Sequence, residues 1–170
     1  GTDNSLNHIA GMYIVLTKTG PFFFADTTVN INPNARTLAD ITLMVANEVR
    51  KFNIEPHIAM LSYSNFGSNR DESPAKVGEA VAILHREAPD LIVDGEFQAN
   101  YAFNRRLRQE KFPFTKLADH DVNTVIFPDL SSGNIAYKMM QELGGAEVIG
   151  PVVMGLAKPI QVLQMASSVR

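Results

Sequence analysis

The sequence predicts an α/β fold built on a mixed, largely parallel sheet. Three observations lead there: short β-branched apolar runs alternate with amphipathic helical segments, the helical segments open with capping residues, and the first two extended runs are separated only by Thr19-Gly20-Pro21. Strand–helix alternation favours parallel pairing, whereas the closely spaced first pair reads as an antiparallel hairpin.

Met12-Tyr13-Ile14-Val15-Leu16-Thr17-Lys18 and Phe22-Phe23-Phe24-Ala25 are the arms of that hairpin, rich in β-branched and aromatic residues. Asn30-Ile31-Asn32-Pro33-Asn34 is a turn, and Asn34 is placed to cap a helix. The apolar residues of that helix, Leu38, Ile41, Val45, Val49 and Phe52, recur at steps of 3, 4, 4 and 3. His57-Ile58-Ala59-Met60-Leu61 reads as a short buried strand leading into the polar loop Ser62–Glu72. Ser73 and Pro74 have N-cap and first-turn chemistry for a helix with Val77, Val81 and Leu84 inward.

Leu91-Ile92-Val93 is the next expected strand. Residues 96–110 are weakly periodic and predicted helical, with a basic tip at Arg105, Arg106 and Arg108, followed by an irregular connection from Lys111 to Asp121 that carries Pro113. Val122 to Phe127 is a strand; Ser131 or Ser132 then opens a helix with Ile135, Met139 and Leu143 inward, stopped by Gly144-Gly145. Short strands around Val148 and at Val152–Leu156 close the pattern.

With 170 residues, 45% of them hydrophobic and 19% charged, the chain has the material for one core and lacks the composition of a disordered segment. Fifteen Lys and Arg against 18 Asp and Glu leave a net charge of −3, without the clustered cations that displace counterions from nucleic acid. The absence of cysteine excludes disulfides, thiolate metal sites and thiol nucleophiles. No apolar run approaches the roughly 20 residues that cross a bilayer, and Gly1-Thr2-Asp3-Asn4-Ser5 lacks the features of a signal peptide, so the expected location is the cytoplasm. Because the first methionine is Met12, and Ala166-Ser167-Ser168-Val169-Arg170 resembles the opening of a helix, residues 1–170 are expected to be an excised part of a larger chain.

In parallel sheets, ligands collect beyond the carboxyl ends of the strands, so the loops there are the candidates. Ser62-Tyr63-Ser64-Asn65-Phe66-Gly67-Ser68 concentrates hydroxyls, an amide and a glycine ahead of a helix start, where an anion such as phosphate is favoured; the alternative is a solvated connection. It lacks the Lys-Ser or Lys-Thr of a Walker A loop. Asp94-Gly95-Glu96, placed at a strand end, offers two carboxylates for acid–base or metal chemistry, or simply terminates the strand. Asp119-His120-Asp121 lacks a second cluster and reads as a loop, and His8, His57 and His85 stand apart in sequence. Phe127-Pro128-Asp129-Leu130-Ser131-Ser132-Gly133-Asn134, with Lys138 four residues after Asn134, either binds an anion or only caps a helix. Gly155-Leu156-Ala157-Lys158-Pro159 offers a further cation.

Taken in series, these segments resemble the C-terminal half of a phosphotransacetylase (phosphate acetyltransferase). The resemblance rests on Ala25-Asp26-Thr27-Thr28-Val29-Asn30, on Glu55 through Ser64, on Pro89 through Glu96, on Phe127-Pro128-Asp129-Leu130, on Gly133 through Lys138, and on Gly144-Gly145-Ala146 through Ile149-Gly150-Pro151 to Lys158-Pro159, in the family's order. It implies an isocitrate dehydrogenase-like fold and reversible acetyl transfer between coenzyme A and phosphate in a cleft between two domains. Tyr63, Ser64, Asn65, Gly67 and Ser68 would then face phosphate, and Asp129, Ser132, Asn134, Lys138 and Lys158 would line the cleft.

Two departures stand against transferase activity. Transferase members carry Asn-Asp-Leu-Ser-Arg-Gly shortly after the Lys-Pro pair, whereas this chain has Ile160-Gln161-Val162-Leu163-Gln164-Met165-Ala166 there, so Gln164 and Met165 stand in place of the family's serine and arginine. A thioether cannot supply the charge-assisted hydrogen bonds of a guanidinium, worth about 1.5–3 kcal/mol. The loop Asn65-Phe66-Gly67-Ser68-Asn69-Arg70 is also bulkier than the glycine- and serine-rich family loop. Together with Phe112-Pro113-Phe114, these segments look like the version of the module at the C-terminus of bacterial hybrid NADP-dependent malic enzymes. That likeness implies an acetyl-CoA-sensing regulatory and oligomerisation module in a homo-oligomer, with NADP and a divalent metal held by N-terminal malic-enzyme domains. An active acetyltransferase and a purely structural dimerisation module are the alternatives.

Overall fold

The computed structural model describes residues 8–155. The hairpin forms as β1 (Ala10–Thr17) and β2 (Gly20–Ala25), with Met12 opposite Ala25 and Thr17 opposite Gly20. Then follow α1 (Ala35–Arg50), β3 (His57–Leu61), α2 (Glu72–Glu87) and β4 (Ile92–Phe97). The remaining elements are α3 (Ala99–Phe103), α4 (Arg105–Lys111), β5 (Thr124–Ile126), α5 (Leu130–Leu143) and β6 (Glu147–Met154). The sheet order is β4-β3-β5-β2-β1-β6. Neighbours among the first four strands pair in parallel, β1 runs against β2, and β6 runs against β1, so β1 is the reversed strand.

Helices cover both faces, which explains why β3 is a continuous apolar run. Leu38, Ile41, Val45 and Val49 of α1 and Val77, Val81 and Leu84 of α2 pack with Ile58, Met60, Val93 and Ile126 on one face. On the other, Phe97, Leu117, Val125 and Phe127 gather with Tyr137 of α5. Each such side chain contributes about 1.5–3 kcal/mol on burial.

Local signals placed α1 well: the Thr37 N–H donates to Asn34 Oδ1 at 2.9 Å, as its N-cap requires. Elsewhere the chain departs from expectation. Phe52 lies beyond α1 and is half exposed. The N-cap of α2 is Asp71, placing Ser73 inside the helix. Asp94-Gly95-Glu96 lies within β4, with both carboxylates buried. The 96–110 stretch breaks at Asn104, which caps α4 by accepting from Leu107 N at 2.9 Å, and Arg108 is fully buried rather than part of a basic tip. The strands expected near Val148 and Val152 are one strand, β6, and Leu156 lies outside the described residues.

The largest departure is the orientation of α5. Ile135, Met139 and Leu143 face outward, at 56%, 53% and 81% exposure, while Gly133 and Tyr137 face the sheet. The helix starts earlier than expected: Asp129 is its N-cap, accepting from Ser132 N at 2.8 Å. A Cβ on Gly133 would come within 2.5 Å of the Asp26 carbonyl oxygen, so only glycine lets the first turn lie this close. Tyr137 supplies the bulk, stacking on Tyr13 at 4.0 Å. Gly133→Ala is therefore expected to lower unfolding free energy by about 1–3 kcal/mol. Ile135→Ala should change it by less than about 0.5 kcal/mol, as for an exposed side chain. Urea denaturation of both variants checks the orientation, and the reverse ranking would mean that α5 is turned the other way.

Candidate functional site

The loops following β2, β3, β4 and β5 lie together at the carboxyl edge of the parallel strands. After β3 the chain passes to α2 on one face, and after the neighbouring strand β5 it passes to α5 on the other. Such a divergence opens a crevice between adjacent strand ends.

Buried carboxylates shape its walls. Asp26, 3% exposed, accepts from the N–H groups of Gly11 (3.1 Å), Thr28 (3.0 Å), Val29 (3.1 Å) and Asn30 (2.7 Å), folding the β2 loop around itself. Glu96 does the same for the β3 loop from a neighbouring strand. Its Oε2 accepts from Ser64 Oγ at 2.9 Å and Gly67 N at 3.0 Å, and its carbonyl accepts from Phe66 N at 2.7 Å. On the other side of Glu96, a Cβ at Gly78 of α2 would lie 3.1 Å from Oε1, so a small residue there makes room for the carboxylate. Gln98, just past β4, closes the loop by donating from its N–H to Asn65 Oδ1 at 2.9 Å and from Nε2 to the Tyr63 carbonyl at 2.7 Å.

The candidate residues therefore divide by position. Tyr63, Asn65, Gly67 and Ser68 reach the loop surface to different degrees, whereas Ser64 is 1% exposed and its hydroxyl is engaged by Glu96. Asp129 and Ser132 sit at the start of α5, where the Ser132 hydroxyl also donates to Asp129 Oδ1 at 2.8 Å. Leu130 N donates to the Ile31 carbonyl at 3.0 Å, tying the β5 and β2 loops together. Asn134 is half-buried on the first turns of α5. Lys138 is exposed, with Nζ 5.9 Å from the centre of the Tyr137 ring. Lys158, Gln164 and Met165 lie outside the described residues.

A cation that the sequence did not single out stands in this region. Lys76 Nζ donates to Asn32 Oδ1 at 2.6 Å and lines a depression of about 370 Å³ between the starts of α1 and α2. Burial holds its ammonium below the ordinary lysine range, against the pull of Asp129 and Glu72. Four residues after Glu72, Lys76 reads in sequence as part of a solvated helix face, so no local signal marks it.

The other acidic motifs have structural partners. Asp94 accepts from Thr115 Oγ1 at 2.6 Å and Lys116 N at 3.0 Å, holding the 112–118 connection to β4. His85 Nε2 lies 2.8 Å from the Val93 carbonyl. In the Asp119-His120-Asp121 stretch, Asp121 pairs with Arg105 at 3.5 Å. Among the described residues no group of three or more His, Asp or Glu is arranged to hold a metal, and no helix is long and apolar enough to cross a membrane.

Comparison with known proteins agrees with this architecture. The family model for phosphate acetyl/butaryl transferase matches residues 1–170. A phosphate acetyltransferase of Bacillus subtilis is 38% identical over 159 residues, 94% of this chain and 49% of that protein. An NADP-dependent malic enzyme of Escherichia coli is 40% identical over 165 residues, 96% of this chain and 22% of that protein. The crystal structure of a phosphotransacetylase from Streptococcus pyogenes superposes with a TM-score of 0.84 at 40% identity, over 89% of this chain and 46% of that one. The chain thus spans about half the length of that phosphate acetyltransferase and about a fifth of that malic enzyme. Sequence, sheet topology and the arrangement of the carboxyl-edge loops converge: this chain belongs to the phosphate acetyl/butaryl transferase family.

Proposed function

We propose that the chain forms one wall of an acetyl-CoA-binding cleft and acts as a regulatory and oligomerisation module of a malic enzyme, with little or no acetyl transfer of its own. The observation that carries this reading is the use of the loop's donors. The Ser64 hydroxyl and Gly67 N–H, which a phosphate after β3 would need, are bound to the Glu96 carboxylate, itself an anion. A second anion brought there meets repulsion rather than free donors. Gln164 and Met165, standing where transferases carry serine and arginine, point the same way. The resemblance to malic enzymes over nearly the whole chain supports the larger context, in which NADP and a divalent metal belong to other domains. The outward stripe of Ile135, Met139 and Leu143 supports contact with another subunit or domain. Regulation follows if acetyl-CoA binds two states of the whole enzyme unequally.

In this reading Tyr63, Asn65 and Ser68 contact the ligand from the β3 loop, Asp129, Ser132 and Asn134 from the start of α5, and Lys138 and Lys158 supply outer charge. One observation favours an active transferase instead: Lys76 places a partly desolvated cation beside Asn32 and Asp129, where it could replace the missing guanidinium.

Calorimetric titration of the protein with acetyl-CoA, coenzyme A and acetyl phosphate, with acetyl transfer assayed in parallel, separates these readings. Saturable acetyl-CoA binding without turnover is expected; turnover at ordinary enzymic rates overturns the sensor reading, and no binding to any of the three leaves only the structural role. Glu96→Gln is expected to loosen the β3 loop, lowering stability by about 1–3 kcal/mol through weakened charged hydrogen bonds. The same variant should weaken acetyl-CoA binding at least about fivefold, roughly 1 kcal/mol. Unchanged affinity would remove the loop from the site. Lys76→Met should leave acetyl-CoA affinity within about threefold in the sensor reading, and lower transfer about a hundredfold if Lys76 serves a transferase.

A further inference from the structure

The opposite, amino edge of the sheet carries a larger depression that the family reading does not use. A groove of about 670 Å³ opens between the β1–β2 turn, the start of β3, α4 and the connection into β5. One wall is apolar, formed by Pro21, Ile54, and the Phe22 and Phe103 rings, which meet edge to face at 5.6 Å. The other carries His57, His120 and Arg105, with Arg108 beneath.

Arg108 is fully buried and its guanidinium donates only to carbonyl oxygens: Tyr101 at 2.9 Å, Ala102 and Leu117 at 3.0 Å, and His120. Among the described residues it takes part in no ion pair. Burial holds its ionisation below the ordinary arginine range, with Arg105 acting in the same direction and Asp121 opposing. An arginine nevertheless stays charged in a protein, so a cation lies under the groove with dipoles around it and no counter-ion.

Two imidazoles line the groove beside the arginines. His57 Nδ1 lies 2.9 Å from the Asp121 carbonyl oxygen, which can only accept, so Nδ1 carries the hydrogen. The His120 ring is 4.5 Å away, centre to centre. Asp119 is exposed, the Asp121 carboxylate is 84% exposed and faces Arg105 at 3.5 Å, and Glu55 is turned to Arg50 at 4.0 Å. Two arginines thus stand against Asp119 and Asp121, both exposed, and Arg105, itself 41% exposed, is within reach of a further anion.

We propose that this groove binds an organic carboxylate with an apolar body, the acid group between Arg105 and the His57–His120 pair and the body against Phe22 and Phe103. The anion answers the charges of Arg105 and Arg108, while the body covers aromatic surface that solvent now reaches. The proposal is independent of what the carboxyl-edge crevice binds.

The test is calorimetric titration of the chain with benzoate and hexanoate, each of which is expected to bind saturably. Arg105→Gln and His120→Gln, both checked for an unchanged thermal transition, should each weaken binding about tenfold, and amide resonances of Phe22 and Phe103 should shift on titration. Absence of saturable binding, or full retention of binding in both variants, overturns the proposal. Inorganic phosphate is the remaining probe: binding as tight as benzoate would show that the apolar wall takes no part and would overturn the carboxylate assignment.

Discussion

A carboxylate removed from water must be met by donors, and in this protein the most consequential case is Glu96. Held inside β4 at 4% exposure, it recruits the Ser64 hydroxyl and the Gly67 amide from the neighbouring strand's loop. Leaving such a group unanswered costs several kcal/mol, so the loop folds around the charge rather than leaving its donors open to solvent. Asp26 and Asp94 apply the same constraint to the β2 loop and the 112–118 connection. Three buried carboxylates, two of which, Asp94 and Glu96, look like acid–base candidates in sequence, thus serve to give the carboxyl edge its shape.

This division explains what could be read in the sequence and what could not. Features fixed by neighbours in the chain were legible: the hairpin around Gly20, the cap at Asn34, the span of β3, the inward face of α2. Features fixed by partners distant in the chain were not. Glu96 and Ser64 are 32 residues apart, and only their shared hydrogen bond shows that one is a structural anion and the other its donor. Arg108 looks like a surface cation among Arg105 and Arg106, yet four backbone carbonyls draw it inside. Lys76 becomes part of the crevice through Asn32, 44 positions earlier.

The error on α5 has a different origin. Apolar periodicity identifies a stripe, but it assumes that the stripe faces the core. In α5 two stripes compete: Ile135, Met139 and Leu143 on one side, Gly133, Ala136, Tyr137 and Met140 on the other. Close approach to Asp26 and the Tyr13–Tyr137 stack favour the second, because glycine brings the helix near enough for the aromatic pair to meet. The larger aliphatic side chains are left outside, which is how a helix suited to one core can present an apolar face to something else.

The bulkier loop after β3 and the Phe112-Pro113-Phe114 segment prove to be one feature. Phe66, in the left-handed region at φ 44°, packs against Phe97 of β4 at 5.6 Å and against Phe112 and Phe114 at 5.0 Å each. Residues separated by more than forty positions therefore form a single aromatic cluster. A left-handed phenylalanine carries a backbone cost that a glycine would not, and it persists because the ring is held on several sides. A glycine-rich loop can move its amides to meet an anion; this one is fixed by Glu96 below and by aromatic rings beside it. A loop so held is stiff, which supports the proposed binding role over one that closes around phosphate during acetyl transfer.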